Sequence, residues 1–245
     1  QSPGLAYKTL HKKFGFLGTL ATLVPIIILP YYCVIGGWVI KYMVTFATGD
    51  GLAAAADNYF SGFTGDFLSP MVYFAIYLAL TAAVILLGVN KGIEKVSKVM
   101  MPLLLLISFG ICIYIFTLPG IAEGVKYYLL PDFSKFSFMT VCAAMGQMFF
   151  SMSLAMGIMI TYGSYTKKET NLIKSVNQIE ICDTVVALLA GFMVVPAVYL
   201  FSGEAGTKAS GAGLMFVTLP KVFGEMRGGQ FIGLLFFVLV FFAAL

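Results

Sequence analysis

The chain has 245 residues, 60% hydrophobic and only 11% charged, with a formal net charge of +4 and a mean hydropathy of +0.96. Soluble domains carry roughly a quarter charged residues, so this balance excludes disorder, nucleic-acid binding and most soluble enzymes. The 15 basic and 11 acidic residues are too sparse for a phosphate-binding surface and read as loop bias.

The length allows about six membrane spans of about 20 residues. Span one is expected over 14–46, with Pro25, Pro30 and Lys41 inside it. It would be roughly 50 Å long, more than a bilayer core requires, so a tilt or kink is expected. A loop (48–69) follows with Asp50, Asp57 and Asp66. Span two covers 71–89, the basic linker 90–98 carries Lys91, Lys95 and Lys98, and span three covers 99–118. Pro131 and Asp132 mark a turn in the loop 119–137. Span four covers 138–165, the charged linker 166–175 follows, and span five covers 179–201. The segment 202–229 has an apolar centre (213–223) too short to span, which reads as a re-entrant or surface helical loop. Span six begins near Phe231, and the chain stops inside that apolar run. With no initiator Met and no signal-like apolar stretch near Gln1, the expectation is an internal portion of a longer chain.

Lys8, Lys12 and Lys13, with Lys91, Lys95, Lys98, Lys167, Lys168 and Lys174, lie on one side of these spans. The opposite loops hold Lys126, Lys135, Lys208, Lys221 and Arg227, and Lys41 sits near the end of span one. The richer side is expected to be cytoplasmic. Cys33, Cys112, Cys142 and Cys182 all fall in spans without a CxxC pattern and read as small apolar residues. His11 is juxtamembrane and carries no metal signal, and Gly88 to Gly92 is a chance GxxxG. No HExxH, Walker or GxSxG motif is present.

Span four breaks the apolar rule. Its middle holds Gln147, Ser151, Ser153 and Gly157, the residues an unwound segment needs if freed carbonyls and hydroxyls are to bind a cation beside a ligand. The same residues would also suit a helix whose serines bond back one turn and whose glycine packs on a neighbour. Span five carries Asp183, with Glu180 three residues earlier. An intramembrane carboxylate needs an ion, a proton or a basic partner; a carboxylate solvated at the interface is the alternative. Tyr31 and Tyr32 at mid-depth in span one each need a hydroxyl partner, either a bound ligand or a neighbouring carbonyl.

Taken together, Leu29-Pro30-Tyr31-Tyr32 with Trp38, Asn90 to Lys95, Pro131-Asp132-Phe133, Gly146 to Ser153, Ile160 to Tyr165, Asp183 to Gly191 and Thr218 to Pro220 resemble the bacterial branch of the sodium-coupled neurotransmitter and amino-acid symporter family. The resemblance runs through the whole chain in order. It implies an all-α membrane protein: a partial bundle of about six transmembrane helices from a broken-helix, inverted-repeat transporter fold. Residues 1–245 would form a single transmembrane domain, holding the third to eighth helices, without the first two or the last. It implies sodium-coupled amino-acid symport by alternating access, in a bacterial inner membrane, with sodium ions as cofactor. The partners would be a small amino acid and the lipid bilayer, with no nucleic acid and no enzymatic activity.

The resemblance also assigns roles. Tyr32 is similar to the tyrosine that holds the substrate carboxylate, and Ile28 to a pocket wall. Phe150 is similar to the aromatic lid, and Gln147 to the outer-gate residue above it. Ser151 is similar to a sodium ligand that also borders substrate, while Ser153 and Met156 line the side-chain pocket. Tyr165 belongs to the cytoplasmic gate, and Ala243 resembles a carbonyl ligand of a second sodium. Asp183 stands where chloride-dependent animal members generally have Asn. Its charge beside the first sodium implies chloride independence, and Met156 implies a pocket for bulky apolar or aromatic side chains. A proton-coupled permease of related architecture, with Asp183 as the carrier, is the alternative. A non-transporting scaffold and an intramembrane hydrolase are further readings; the first needs no polar mid-span residues, and the second lacks an accompanying His.

Overall fold

A computed structural model describes residues 3–88, 93–154, 156–166 and 169–245, and all but the side chain of Lys135 within them. In chain order the helices are α1 (Pro3–Leu10), α2 (Gly15–Ala47), α3 (Gly51–Ala54), α4 (Tyr59–Gly65), α5 (Leu68–Leu86), α6 (Glu94–Phe116), α7 (Ile121–Leu129), α8 (Phe138–Ser151), α9 (Ile158–Tyr165), α10 (Leu172–Thr207), α11 (Gly211–Gly213), α12 (Leu219–Glu225) and α13 (Gly229–Ala244). A π-helical turn, Leu214–Thr218, joins α11 to α12. Among the described residues there is no strand. Among the described residues, four helical stretches are long and apolar enough to cross a membrane: Lys12–Ala47, Leu68–Leu86, Glu94–Phe116 and Leu172–Thr207. Span four divides into α8 and α9, and α13 is shorter than a full span. Most of the GxxxG stretch from Gly88 to Gly92, part of the Asn90 to Lys95 motif, and the linker residues Lys91, Lys167 and Lys168 lie outside the described residues.

The chain forms two compact units, residues 1–31 with 132–187 and residues 32–131 with 188–245. In the first, α1 packs on α9. His11 caps the short 3₁₀ turn Lys12–Phe14, its Nδ1 accepting from the Lys13 N–H at 3.3 Å, which is a structural role. Asp132 caps Phe133–Lys135 by accepting from the Ser134 N–H at 3.0 Å, so the Pro131-Asp132-Phe133 text is a turn followed by one helical turn. Ser137 and Thr140 then start α8 with a reciprocal capping box.

The second unit is built on close helix contacts and an aromatic core. A Cβ on Gly37 would lie 2.8 Å from the Phe74 backbone nitrogen, and one on Gly36 would lie 2.4 Å from the Tyr77 ring. Gly37 is therefore where α2 and α5 meet backbone to backbone, and Gly36 makes room for the Tyr77 ring, as small residues permit in membrane bundles. Gly124 of α7 approaches the Pro196 carbonyl of α10 in the same way, a Cβ there falling 2.7 Å from it. Phe216 lies at the centre, stacked on Phe60 (5.6 Å, 6° between planes) and edge-on to Trp38. Tyr42 donates to the Phe216 carbonyl at 2.7 Å, and Phe237 packs on Tyr42 at 5.2 Å.

Several sequence expectations change here. The loop 48–69 contains α3 and α4, and the loop 119–137 contains α7, whose Ile121 and Gly124 are buried. Short apolar faces folded against larger helices lose the long runs that mark a span. The linker 90–98 ends early because α6 begins at Glu94, and Lys98 pairs with Glu94 one turn away at 2.6 Å. Segment 202–229 is helical and non-spanning as expected, but not superficial: Phe216, Leu219, Val222 and Phe223 are buried. The helix α2 continues through Pro25 and Pro30. Cys33 and Cys112 are buried free thiols, whereas Cys142 and Cys182 are exposed.

Candidate binding site at a helix break

The sequence expectation for span four concerns its middle, and there the helix opens. After α8, the Met152 N–H reaches the Met148 carbonyl (3.0 Å), Ser153 reaches Phe150 (3.1 Å) and Leu154 reaches Phe149 (2.9 Å). The spacing thus shifts from four residues to three and then to five, which unwinds the ladder. Ser153 has φ +53°, the left-handed region that non-glycine residues rarely occupy, and Gly157 has φ +72°. Helical bonding resumes with the Thr161 N–H on the Gly157 carbonyl at 3.0 Å. Gly157 is buried. A Cβ on it would meet Pro3 Cγ at 2.9 Å and the Ala21 carbonyl at 3.2 Å, so conformation and space both require glycine there.

Asp183 lies well inside α10, eleven residues past its start at Leu172, or about 16 Å along the axis. The Ser151 hydroxyl donates to Asp183 Oδ1 at 2.8 Å. A residue at the end of α8 is thereby tied to a carboxylate inside α10. Asp183 is partly buried and Glu180 exposed. The Glu180 carbonyl accepts from the Thr184 hydroxyl at 2.9 Å, an ordinary one-turn contact.

The donors at this point are a hydroxyl and a carboxylate, hard oxygens suited to a hard cation. Among the described residues no group of three or more His, Cys, Asp or Glu side chains could hold a metal. The C-terminal end of α8 faces the break with partial negative charge, and the N-terminal end of α9 with partial positive charge. An opened helix with such ends can hold a cation and an anionic group side by side.

The remaining site residues are distributed as follows. Gln147 and Phe150 are exposed on α8, Ser153 and Met156 are partly buried in the opened segment, and Tyr165 is the exposed last residue of α9. Ile28 belongs to the first unit and Tyr32 to the second, one turn apart on the continuous helix α2. Ala243 is exposed near the end of α13, in the second unit. The sequence reading passed over Tyr77, whose hydroxyl donates to the Ala244 carbonyl, next to Ala243. The rule applied to Tyr31 and Tyr32, that a mid-span tyrosine needs a partner, could have found it. Two further contacts fix the far end of this unit. Gln230 accepts from the Gly51 N–H at 2.9 Å and donates to the Phe46 carbonyl. Lys221 pairs with Asp57 and holds its carboxyl below the usual carboxylate range, through a hydrogen bond first and charge second.

An apolar, helical chain whose interrupted helix carries polar oxygens has the pattern of the broken-helix class of membrane proteins. Residues 65–245 match the Sodium:neurotransmitter symporter family. The chain is 35% identical over 245 residues to a sodium-dependent transporter of Haemophilus influenzae, covering 97% of this chain and 53% of that protein. It is 36% identical over 234 residues to the sodium-dependent transporter YhdH of Bacillus subtilis, covering 94% and 51%. The crystal structure of MhsT in complex with L-phenylalanine superposes with a TM-score of 0.87 at 34% identity, covering 100% of this chain and 56% of that one. The chain belongs to the Sodium:neurotransmitter symporter family and spans about half the length of the curated relatives it matches.

Proposed function

We propose that this chain is part of a sodium-coupled amino-acid symporter that works by alternating access in a bacterial inner membrane. The observation that carries the reading is the 2.8 Å contact between Ser151 and Asp183 at an opened helix. The Ser151 hydroxyl now spends its proton on Asp183. When sodium enters, that hydroxyl turns its hydrogen away and offers a lone pair, and the carboxylate supplies a full negative charge at short range. Ala243 is assigned to a second sodium.

The substrate carboxylate is taken by Tyr32, and the side-chain pocket is formed by Ile28, Phe150, Ser153 and Met156. Gln147 and Tyr165 gate the two sides. Sodium and substrate are coupled because each favours the same closed state. Met156 is flexible and polarisable and suits a bulky apolar or aromatic side chain; the relative MhsT was crystallised with L-phenylalanine. The fixed charge of Asp183 makes chloride unnecessary.

The test is scintillation-proximity binding of labelled amino acids to the full-length protein. Binding is expected in sodium, not in choline, and unchanged when gluconate replaces chloride. Unlabelled Leu, Tyr and Trp should compete better than Gly. A pocket that takes only Gly or Ala, or a requirement for chloride, contradicts this proposal.

The proton-coupled reading has one observation in its favour: a carboxylate hydrogen-bonded to a hydroxyl, as Asp183 is, can also carry a proton. Uptake that persists in choline and follows a pH gradient would select it.

A further inference from the structure

Where α4 and α5 meet the end of α2, the second unit has two adjoining hollows of about 350 and 370 Å³, each in the size range of a small-ligand site. Their chemistry differs. The first presents Lys41, Asn58, Tyr59 and Asp66, and the second is walled by Leu68, Val72 and Ile76. Asp66 and Ser69 border both, so the two make one groove with a charged head and an apolar tail.

The charged head is held in place. The Lys41 ammonium lies over the rings of Tyr59 and Tyr73, 5.8 and 5.7 Å from their centroids. Tyr59 is itself fixed by a 2.7 Å hydrogen bond with Thr45. Among the described residues Lys41 makes no ion pair, so its charge is offered outward between two aromatic faces. The Asp66 carboxylate accepts from the Leu68 and Ser69 N–H groups at 3.3 and 3.1 Å. A carboxylate has about four acceptor sites, so capacity remains on both oxygens. One cation and one anion therefore border the same hollow.

The apolar tail follows the membrane. Leu68, Val72 and Ile76 are spaced by four residues on α5 and are 69%, 48% and 43% exposed, one stripe down the helix. The spanning helix begins at Leu68, which puts Asp66 at headgroup depth and the stripe at acyl-chain depth. Lys41 borders the same hollow as Asp66 and so lies at the same level.

We propose that this groove binds phosphatidylethanolamine, with the phosphate on Lys41, the primary ammonium on Asp66, and an acyl chain along Leu68, Val72 and Ile76. Opposite charges in one hollow match a zwitterionic headgroup. Phosphatidylglycerol has hydroxyl donors but no cation to set against the Asp66 charge, and the trimethylated ammonium of phosphatidylcholine cannot donate a hydrogen bond to it. The proposal is independent of the sodium site, because none of these residues belongs to it.

Native mass spectrometry of the full-length protein in mild detergent, offered equal amounts of the three lipids, tests it. The wild type should retain phosphatidylethanolamine about fivefold over the other two, a difference of about 1 kcal/mol. Lys41→Met should lower that retention about fivefold, and Lys41→Arg should restore it. Asp66→Asn keeps an acceptor for one of the two α5 amides and should erase the preference over phosphatidylglycerol. Equal retention of all three lipids by the wild type overturns the proposal, even if Lys41→Met fails to fold. So does undiminished phosphatidylethanolamine retention in a folded Lys41→Met protein, the result expected if another protein segment fills the groove.

Discussion

Ser151 and Asp183, 32 residues apart in sequence, share a hydrogen bond of 2.8 Å between the end of one helix and the interior of another. Removing either partner isolates its contribution. Ser151→Ala deletes one oxygen donor, and Asp183→Asn keeps the shape but removes the charge. Each should raise the sodium concentration for half-maximal amino-acid binding about tenfold or more, equivalent to about 1.4 kcal/mol. Asp183→Asn should in addition make binding sensitive to chloride. Sodium titrations of labelled substrate binding, in chloride and in gluconate, measure both effects.

The helix break makes two predictions of opposite sign. Gly157→Ala puts a Cβ on a residue at φ +72° and against Pro3 and the Ala21 carbonyl. It should destabilise by about 1–3 kcal/mol. Ser153→Gly relieves a non-glycine residue at φ +53° and should be neutral or stabilising by about 1 kcal/mol. Thermal denaturation of the detergent-solubilised protein, followed by size-exclusion, distinguishes the two.

At the crossing of α2 and α5, a Cβ on Gly37 would come within 2.8 Å of backbone. Backbone cannot rotate away as a side chain can, so Gly37→Ala forces the helices apart. The expected loss is about 1–3 kcal/mol, read as a lower melting temperature. Gly110, with nothing within 4 Å of its would-be Cβ, is the control: Gly110→Ala should be neutral or mildly stabilising.

Tyr42 donates to the carbonyl of Phe216 in the buried π-helical turn. Tyr42→Phe leaves that acceptor short of a partner while keeping the ring stack. Interhelical hydrogen bonds in membrane proteins contribute about 0.6–1.7 kcal/mol, and the melting temperature should fall accordingly.

Acidity should act on the Lys221–Asp57 pair. The carboxyl is held below its ordinary range by the ammonium beside it. The pair's contribution is therefore complete above the ordinary aspartate value and is lost as pH falls through the lowered one. Asp57 is fully exposed, so the effect is small and screened by salt. The difference in melting temperature between wild type and Asp57→Asn should shrink between neutral pH and pH of about 3, and also at high ionic strength.

Amino-acid order alone determined the apolar runs, and with them the helical membrane class and most of the long helices. It also marked span four as a place where a helix could open, because Gln147, Ser151, Ser153 and Gly157 interrupt a run that lipid would fill with leucine; that the helix does open there was decided by the structure. These are one-dimensional properties: the length of a run, and the presence of a residue that cannot continue it. Tertiary structure decided which residues meet. Ser151 reaches Asp183, and Tyr77 reaches Ala244, because each helix settles at one rotation about its axis, and successive side chains differ by about 100°. It also decided that α3, α4 and α7 are helices, and that Phe216 is core. A short helix in a loop is stable only against the surface it packs on, and that surface is assembled from residues far away in the chain.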